Sequence, residues 1–327
     1  MILSINTSQT AAFDYESHLS EWGGKGSRGN GLPSYSQNSD FLLGQNDPFL
    51  KHYQLQSPAD LKGKVFGNIW QTGSYRIHSM LFSSHRPDAK RCLFIHGYFD
   101  NAGYFKHLID HLGDRCHILT IDLPGHGLSS GPRAEINDIS DYMEVIEKLM
   151  AVLREKNQLP DYFIGHSAGG AILLEAGRRH LIPEASQIVL LAPLIYWHQS
   201  FLTSTLIGFF SSLTSVPRFF RSRTHDSDFN RFQREEPFQH KTVPLNWARA
   251  LIRWQKSFVQ QDNLGLNVTV IQGTADKVVD WPQNLAEISR MIPKSRIYLV
   301  EGAMHQLINE PMRYRKEVFS KIDAIIR

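Results

Sequence analysis

Residues 161–177 read DYFIGHSAGGAILLEAG, and the organisation of the whole chain follows from them. The first part, DYFIGHS, is short and apolar, as a buried strand is; residues 168–180 carry the Ala and Leu content of a helix. Between the two stands Gly165-His166-Ser167-Ala168-Gly169, a G-x-S-x-G pattern at a strand-to-helix turn. A serine held in such a turn has strained backbone angles, so the residues two before and two after it must be small. The turn lifts the hydroxyl clear of the sheet and points a helix N-terminus at any negative charge that develops beside it. Glycine and serine are common, and the five letters alone could mark an ordinary tight turn. The strand and the helix on either side carry the reading.

Outward from that turn, strands and helices alternate. RCLFIHG (91–97), HILTIDLP (117–124), QIVLLAP (187–193), NVTVIQG (267–273) and SRIYLVEG (295–302) read as strands. Helices are expected over 104–112, 139–156, 283–291 and 312–326. In the second of these, Ile139, Met143, Ile146, Met150 and Leu153 recur at spacings of three and four. Upstream, KVFGNIWQT (64–72) and RIHSMLFSS (76–84) flank Gly73-Ser74 as the arms of a hairpin would. The pattern predicts an α/β protein with a mostly parallel eight-stranded sheet and helices on both faces.

Two stretches break the alternation. Residues 1–60 are rich in Gly, Ser and Asn, notably EWGGKGSRGNGLPSYSQNSD (21–40), and read as a loop-rich N-terminal extension, either ordered against the main domain or partly disordered. Residues 196–246 read as a helical cap or lid inserted at the carboxyl edge of the sheet, which divides a core of 61–195 and 247–327. Within FLTSTLIGFFSSLTSVPRFF (201–220), Leu206, Phe209, Phe210 and Leu213 fall on one helical face. They pack on the domain below or line an apolar substrate pocket, with Phe209, Phe210 and Leu213 as the candidate substrate contacts. Arg218, Arg221 and Arg223 could meet a phosphate headgroup, but a solvated basic edge is the favoured account.

Composition bounds the rest. With 327 residues, 42% of them hydrophobic and 20% charged, the chain can bury a full core. A net charge of +3 with no block of like charges argues against a nucleic-acid partner. Cys92 and Cys116 each begin a strand and read as reduced thiols; a disulfide would require neighbouring strands at suitable spacing. The N-terminus lacks a basic n-region, and the longest apolar stretch, 188–197, is short and broken by Pro193. Cytoplasmic residence is the expectation, with peripheral membrane contact left open and the oligomeric state undetermined. No H-E-x-x-H or paired C-x-x-C spacing occurs, so neither a metal nor an organic cofactor is expected.

Three further segments carry chemistry. His96-Gly97 ends one strand and lets the next loop approach Ser167. The amides of Tyr98 and Ala168 would then form an oxyanion hole, with His96 structural. IQGTADKVVD (271–280) sets Asp276, and VEGAMHQLINEP (300–311) sets His305, in loops at the carboxyl ends of strands, where parallel-sheet enzymes gather functional groups. Asp280, the nearest competing acid, precedes Trp281-Pro282 and reads as a helix cap. Singly these are weak. In the order Ser, Asp, His they assign Ser167 as nucleophile, His305 as general base and Asp276 as the acid that orients it.

From about Arg91 onward the chain resembles the monoacylglycerol lipase/lysophospholipase branch of the α/β-hydrolase superfamily, the serine aminopeptidase S33-type hydrolases. HGYFDNAGYF (96–105), DLPGHGLSSGPR (122–133), GHSAGG (165–170), GTADKVV (273–279) and EGAMHQLINE (301–310) carry the resemblance over some two thirds of the chain. It implies an α/β-hydrolase fold and cleavage of a carboxylic ester through an acyl-enzyme. The implied substrate is a small acyl ester or lipid of the monoacylglycerol or lysophospholipid type. In the family the DLPGHGLSSG segment shapes a loop beside the active site, so Asp122, His126 and Ser129 are assigned structural roles. Ala168 stands where many members carry Met, and Asp100 where many carry Glu. The amide at 168 survives that change, whereas the substrate preference is open. The same fold and serine would also serve an aminopeptidase, with Glu235-Glu236 as candidates to hold an amine, a thioesterase or an acyltransferase. A non-catalytic binding relative is disfavoured, because all three triad positions are filled.

Overall fold

The fold was read from a computed structural model, which describes residues 47–55, 64–198, 207 and 213–327. Aromatic and aliphatic residues spaced by two build the first pair of strands, β1 (Lys64–Thr72) and β2 (Tyr75–Ser83), in register from Lys64–Ser83 to Thr72–Tyr75. The hairpin turns at Gly73, whose φ of +40° suits a residue without a side chain. There follow β3 (Lys90–Ile95), β4 (Cys116–Ile121), β5 (Tyr162–His166) and β6 (Gln187–Leu191). The short strands β7 (Ser215–Pro217) and β8 (Thr242–Pro244) come next, then β9 (Val268–Gly273) and β10 (Arg296–Val300).

Eight of these form one sheet in the order β1-β2-β4-β3-β5-β6-β9-β10. Strand β2 is antiparallel to both of its neighbours, and the pairs from β4 to β10 are parallel. Every residue of β6 and β9 is buried, as strands covered on both faces must be. The expected architecture, an α/β-hydrolase fold, is the one observed.

The helices are α1 (Pro48–His52), α2 (Lys106–Leu112), α3 (Ser140–Glu155), α4 (Ala168–Arg178), α5 (Ser227–Glu235), α6 (Leu245–Phe258), α7 (Trp281–Met291) and α8 (Met312–Ile325). Their apolar faces sort into two cores. In one, Tyr142, Ile146 and Leu149 of α3, Ile172 of α4, Trp254 and Phe258 of α6 and Ile288 of α7 pack together. In the other, Phe49 and Leu50 of α1, Leu108 and Leu112 of α2 and Val318 and Ile322 of α8 do so. Each such buried side chain contributes about 1.5–3 kcal/mol by removal from water.

Four local results differ from the sequence expectations. The helix expected from residue 104 opens as a 3-10 turn, Ala102–Phe105, because the Asn101 side chain accepts the Gly103 amide at 2.9 Å. Helix α6 was not anticipated at all. Within the stretch read as mostly loop, residues 48–52 form helix α1, which Asp47 caps by accepting the Leu50 amide, and the burial of Phe49, Leu50, Tyr53 and Leu55 is the ordered one of the two alternatives. In the insertion, Leu206, Phe209 and Phe210 lie outside the described residues. Leu213 is not helical: the backbone there is already entering β7, and the adjoining Thr214 carbonyl accepts the Leu245 amide. The insertion thus contains a two-stranded ribbon, β7 with β8, beside its helix α5.

Cys92 and Cys116 sit on the neighbouring strands β3 and β4 and are both free and buried. No helix among the described residues is long and apolar enough to cross a membrane.

Candidate active site

The turn between β5 and α4 is built by close packing of backbone. Ser167 has φ 53° and ψ −115°, a conformation that costs a non-glycine residue on the order of 1–3 kcal/mol unless its surroundings impose it. Here they do. The Ser167 amide donates to the Leu191 carbonyl at 2.9 Å, and the Ser167 carbonyl accepts the Leu194 amide at 3.0 Å and the Gly170 amide at 2.9 Å. A Cβ at Gly165 would lie 2.6 Å from the Gly169 carbonyl oxygen, and one at Gly169 would lie 2.1 Å from that of Ile95. The small residues flanking the serine are therefore obligatory, as the sequence pattern requires.

The loop after β3 presses on this turn. A Cβ at Gly97 would fall 3.1 Å from Ser167 Cβ and 3.0 Å from His166 Nδ1. That approach sets Tyr98 beside the serine. The Tyr98 ring stacks on Trp247 of α6, with centroids 3.6 Å apart, and its hydroxyl donates to the Ala134 carbonyl at 2.8 Å. Ala168 is the first residue of α4, so its amide is one of the unpaired donors at a helix start.

Asp276 follows β9 and His305 follows β10, and the two strands are neighbours. Their loops therefore meet, and His305 Nδ1 donates to Asp276 Oδ2 at 2.7 Å. The other carboxylate oxygen accepts the Val278 amide at 2.8 Å and the Val279 amide at 3.2 Å, which fixes the acid in place. Burial opposes ionisation of Asp276, but the His305 partner and these donors outweigh it and hold the carboxyl below its ordinary value. Burial likewise pushes His305 below 6.5, with Asp276 only partly restoring it, so the imidazole is neutral at pH 7 and its Nε2 is free to accept a proton.

One contact set was not foreseen. His166, the variable residue of the motif, faces Asp100 Oδ2 through Nδ1 at 3.2 Å and the His305 carbonyl through Nε2 at 3.1 Å. Gln306 Nε2 donates to the same Asp100 oxygen at 3.1 Å. Burial works against the Asp100 charge, yet His166, with Arg223 and His96 further out, holds its carboxyl down at about 2. The loops bearing Tyr98, Ser167 and His305 are thereby tied to one another. Nothing in the sequence pairs residues so far apart. The signal available was only that a histidine next to a buried serine, and an acid in the adjacent loop, need partners.

The residues assigned to support occupy support positions. Asp122 accepts the Ala102 and Leu128 amides at 2.8 and 3.0 Å and faces His78 Nδ1 at 2.8 Å. Ser129 donates to the Asp122 carbonyl at 2.6 Å, and His126 Nδ1 bonds the Pro124 carbonyl at 2.9 Å. His96 Nδ1 donates to the Gly97 carbonyl while Nε2 accepts the Leu123 amide. Asp280 caps α7. Of the acids in the insertion, Glu235 is exposed. Glu236 is buried and takes hydrogen bonds from Tyr53 and Asn101. Of the three residues expected to contact an acyl chain, Phe209 and Phe210 lie outside the described residues. Leu213 is 43% exposed, with its carbonyl accepting from Arg249.

Residues 86–312 match the serine aminopeptidase S33 family. The monoacylglycerol lipase of Mycolicibacterium smegmatis is 25% identical over 228 residues, which cover 66% of this chain and 81% of that protein. Phospholipase YtpA of Bacillus subtilis is 24% identical over 241 residues, covering 70% of this chain and 92% of its own. Among solved structures, a soluble variant of the monoglyceride lipase of Saccharomyces cerevisiae has the same fold, with a TM-score of 0.67 and 20% identity over 80% of this chain and 94% of that one. The family match runs from just after β2 to the first residue of α8 and takes in every loop of the site, so the chain belongs to the serine aminopeptidase S33 family of the α/β-hydrolase fold.

Proposed function

We propose that the protein is a serine hydrolase that cleaves carboxylic esters through an acyl-enzyme, with Ser167 as nucleophile, His305 as general base and Asp276 as its orienting acid. The observation that carries this is the buried Asp276–His305 pair at 2.7 Å, in a loop that also receives a hydrogen bond from His166, the residue beside the strained serine. Ser167 Oγ attacks the ester carbonyl as His305 Nε2 takes its proton. The oxyanion forms between the amides of Tyr98 and Ala168, where one donor is worth about 3–4 kcal/mol. His305 then returns the proton to the departing alcohol. It next removes a proton from water, which attacks the acyl-serine and releases the acid. Asp276 holds Nδ1–H and stabilises the imidazolium at both stages.

The names of the relatives, a monoacylglycerol lipase, a phospholipase and a probable lysophospholipase, support an acyl ester of the monoacylglycerol or lysophospholipid type as substrate. On this reading residues 196–246 form a cap over the core of 61–195 and 247–327, and the protein meets its substrate as a dissolved lipid or at a membrane surface. Replacement of Ser167 by Ala tests the assignment. The variant should fold normally and lose p-nitrophenyl ester turnover by several orders of magnitude. Undiminished turnover would refute it, and preferred cleavage of aminoacyl amides in the same assay would move the activity to the peptidase side.

A further inference from the structure

We propose that Arg218 and Arg223 form a phosphate subsite beside the reaction centre, and that the favoured substrates are acyl esters whose alcohol part carries a phosphate. This deepens the reading of Ser167 as an ester-cleaving nucleophile and rests on it. The three insertion arginines, equivalent in the sequence, are not equivalent in the structure. Arg221 is exposed, as a solvated basic edge would be, whereas Arg223 is half-buried and Arg218 only 9% exposed.

Both inward-facing arginines are tied to loops of the reaction centre. Arg218 lies over the ring of Phe99, the residue after Tyr98, at 3.9 Å, and over Phe220 at 4.3 Å. Its Nη1 is held by Gln239 and by the His240 carbonyl, and Gln239 in turn donates to the Phe99 carbonyl. The Arg223 carbonyl accepts the amide of Gln306, next to His305, at 2.9 Å. Thr224 and His225 extend this strap to Glu310. The Arg218 guanidinium therefore stands at the loop of the expected oxyanion donor, while the Arg223 backbone is tied to the loop of the base and its charge acts on Asp100 and His305.

Among the described residues no carboxylate lies within ion-pair distance of either guanidinium, and Arg218 Nε is buried without a hydrogen bond. Burial, with Arg223 adding to it, pushes Arg218 down to about 9, which reports the discomfort of the charge in that place. Asp100 acts on both arginines from a distance, short of an ion pair with either, and takes its own hydrogen bonds from His166 and Gln306. Guanidinium groups bind phosphate through parallel N–H donors, and two of them match the charge of a phosphate monoester. A neutral glycerol would leave both without an ion pair.

The test compares 1-butyrylglycerol with 1-butyrylglycerol 3-phosphate, both soluble enough that no lipid surface is present. The phosphorylated ester should have a kcat/KM about tenfold higher or more, as a charge-assisted contact supplies. Arg223→Gln and Arg218→Gln should each erode that ratio, while Arg221→Gln should leave it intact. The ratio is the readout, so a general loss of activity in a poorly folded variant does not mimic the effect. Inorganic phosphate should also inhibit 1-butyrylglycerol cleavage competitively. A ratio of one or less, or a ratio untouched by both inner substitutions, overturns the subsite. Inhibition by phosphate without preference for the phosphorylated ester makes it a free-anion site and overturns it as well. Failure to cleave either ester or p-nitrophenyl butyrate would remove the ester-hydrolase reading itself, and the subsite with it.

Discussion

The turn around Ser167 and the insertion above it are built by different means. At the turn, backbone meets backbone: Gly165 and Gly169 are required because a Cβ at either would intrude on main-chain atoms, and Gly97 packs tightly on the side chains of Asp100, His166 and Ser167. The insertion is attached by side chains reaching across the sequence, Arg218 to Phe99, Glu236 to Tyr53 and Arg133 to the Phe238 carbonyl. Rigid packing holds reacting groups within a fraction of an ångström, as chemistry demands. Polar and aromatic side-chain contacts can be exchanged more readily, which suits the substrate-selecting cap proposed here.

The contrast can be broken at either end, and the turn and the loops beside it should give the larger effects. Asp276→Asn keeps the shape of the carboxylate, but with its oxygen held by the Val278 and Val279 amides it turns an NH2 donor towards His305 Nδ1 and selects the wrong tautomer, so kcat should fall by about 10⁴. A fall of only a few-fold would mean that the acid has no part in orienting the base. Gly97→Ala should reduce kcat by about a hundredfold with the fold retained, because the oxyanion loop must retreat from Ser167 and His166. Wild-type turnover in that variant would show that the approach has no catalytic purpose.

In the insertion the consequence should be one of stability. Burial, only partly offset by the Tyr53 hydrogen bond, raises the Glu236 carboxyl from 4.5 to about 7, so the folded protein holds this proton more tightly than the unfolded chain does. The contribution of this group to stability should be greatest below pH 4.5 and fall as pH rises to about 7, by on the order of 3 kcal/mol. In Glu236→Gln that fall should be missing. Urea denaturation of both proteins at pH 5 and pH 8 measures it, and equal pH dependences would contradict the burial account.

The same contrast explains what could be read in the sequence. Strands β3 to β6, β9 and β10 were legible because continuous apolar runs have few other uses, and the turn was legible because its steric rule is written in adjacent residues. Helix α6 carried its signal in Leu245, Trp247, Leu251, Trp254 and Phe258, but Pro244 and the insertion before it disguised the start. Helix α1 spans five residues, too few to display a period, and the burial of this segment depends on Phe49 meeting His78 and Phe238 and on Tyr53 meeting Phe232. The Asp100–His166–Gln306 bridge joins residues 66 and 206 positions apart, and no local pattern encodes such a meeting.

The central claim is that Ser167 is a nucleophile activated by His305. Inactivation with a fluorophosphonate, followed by peptide mass mapping, examines it most directly. The adduct should lie on Ser167, and substitution of His305 by Ala should slow its formation by orders of magnitude. An adduct on another residue, or labelling of Ser167 at an unchanged rate without the histidine, would contradict the account.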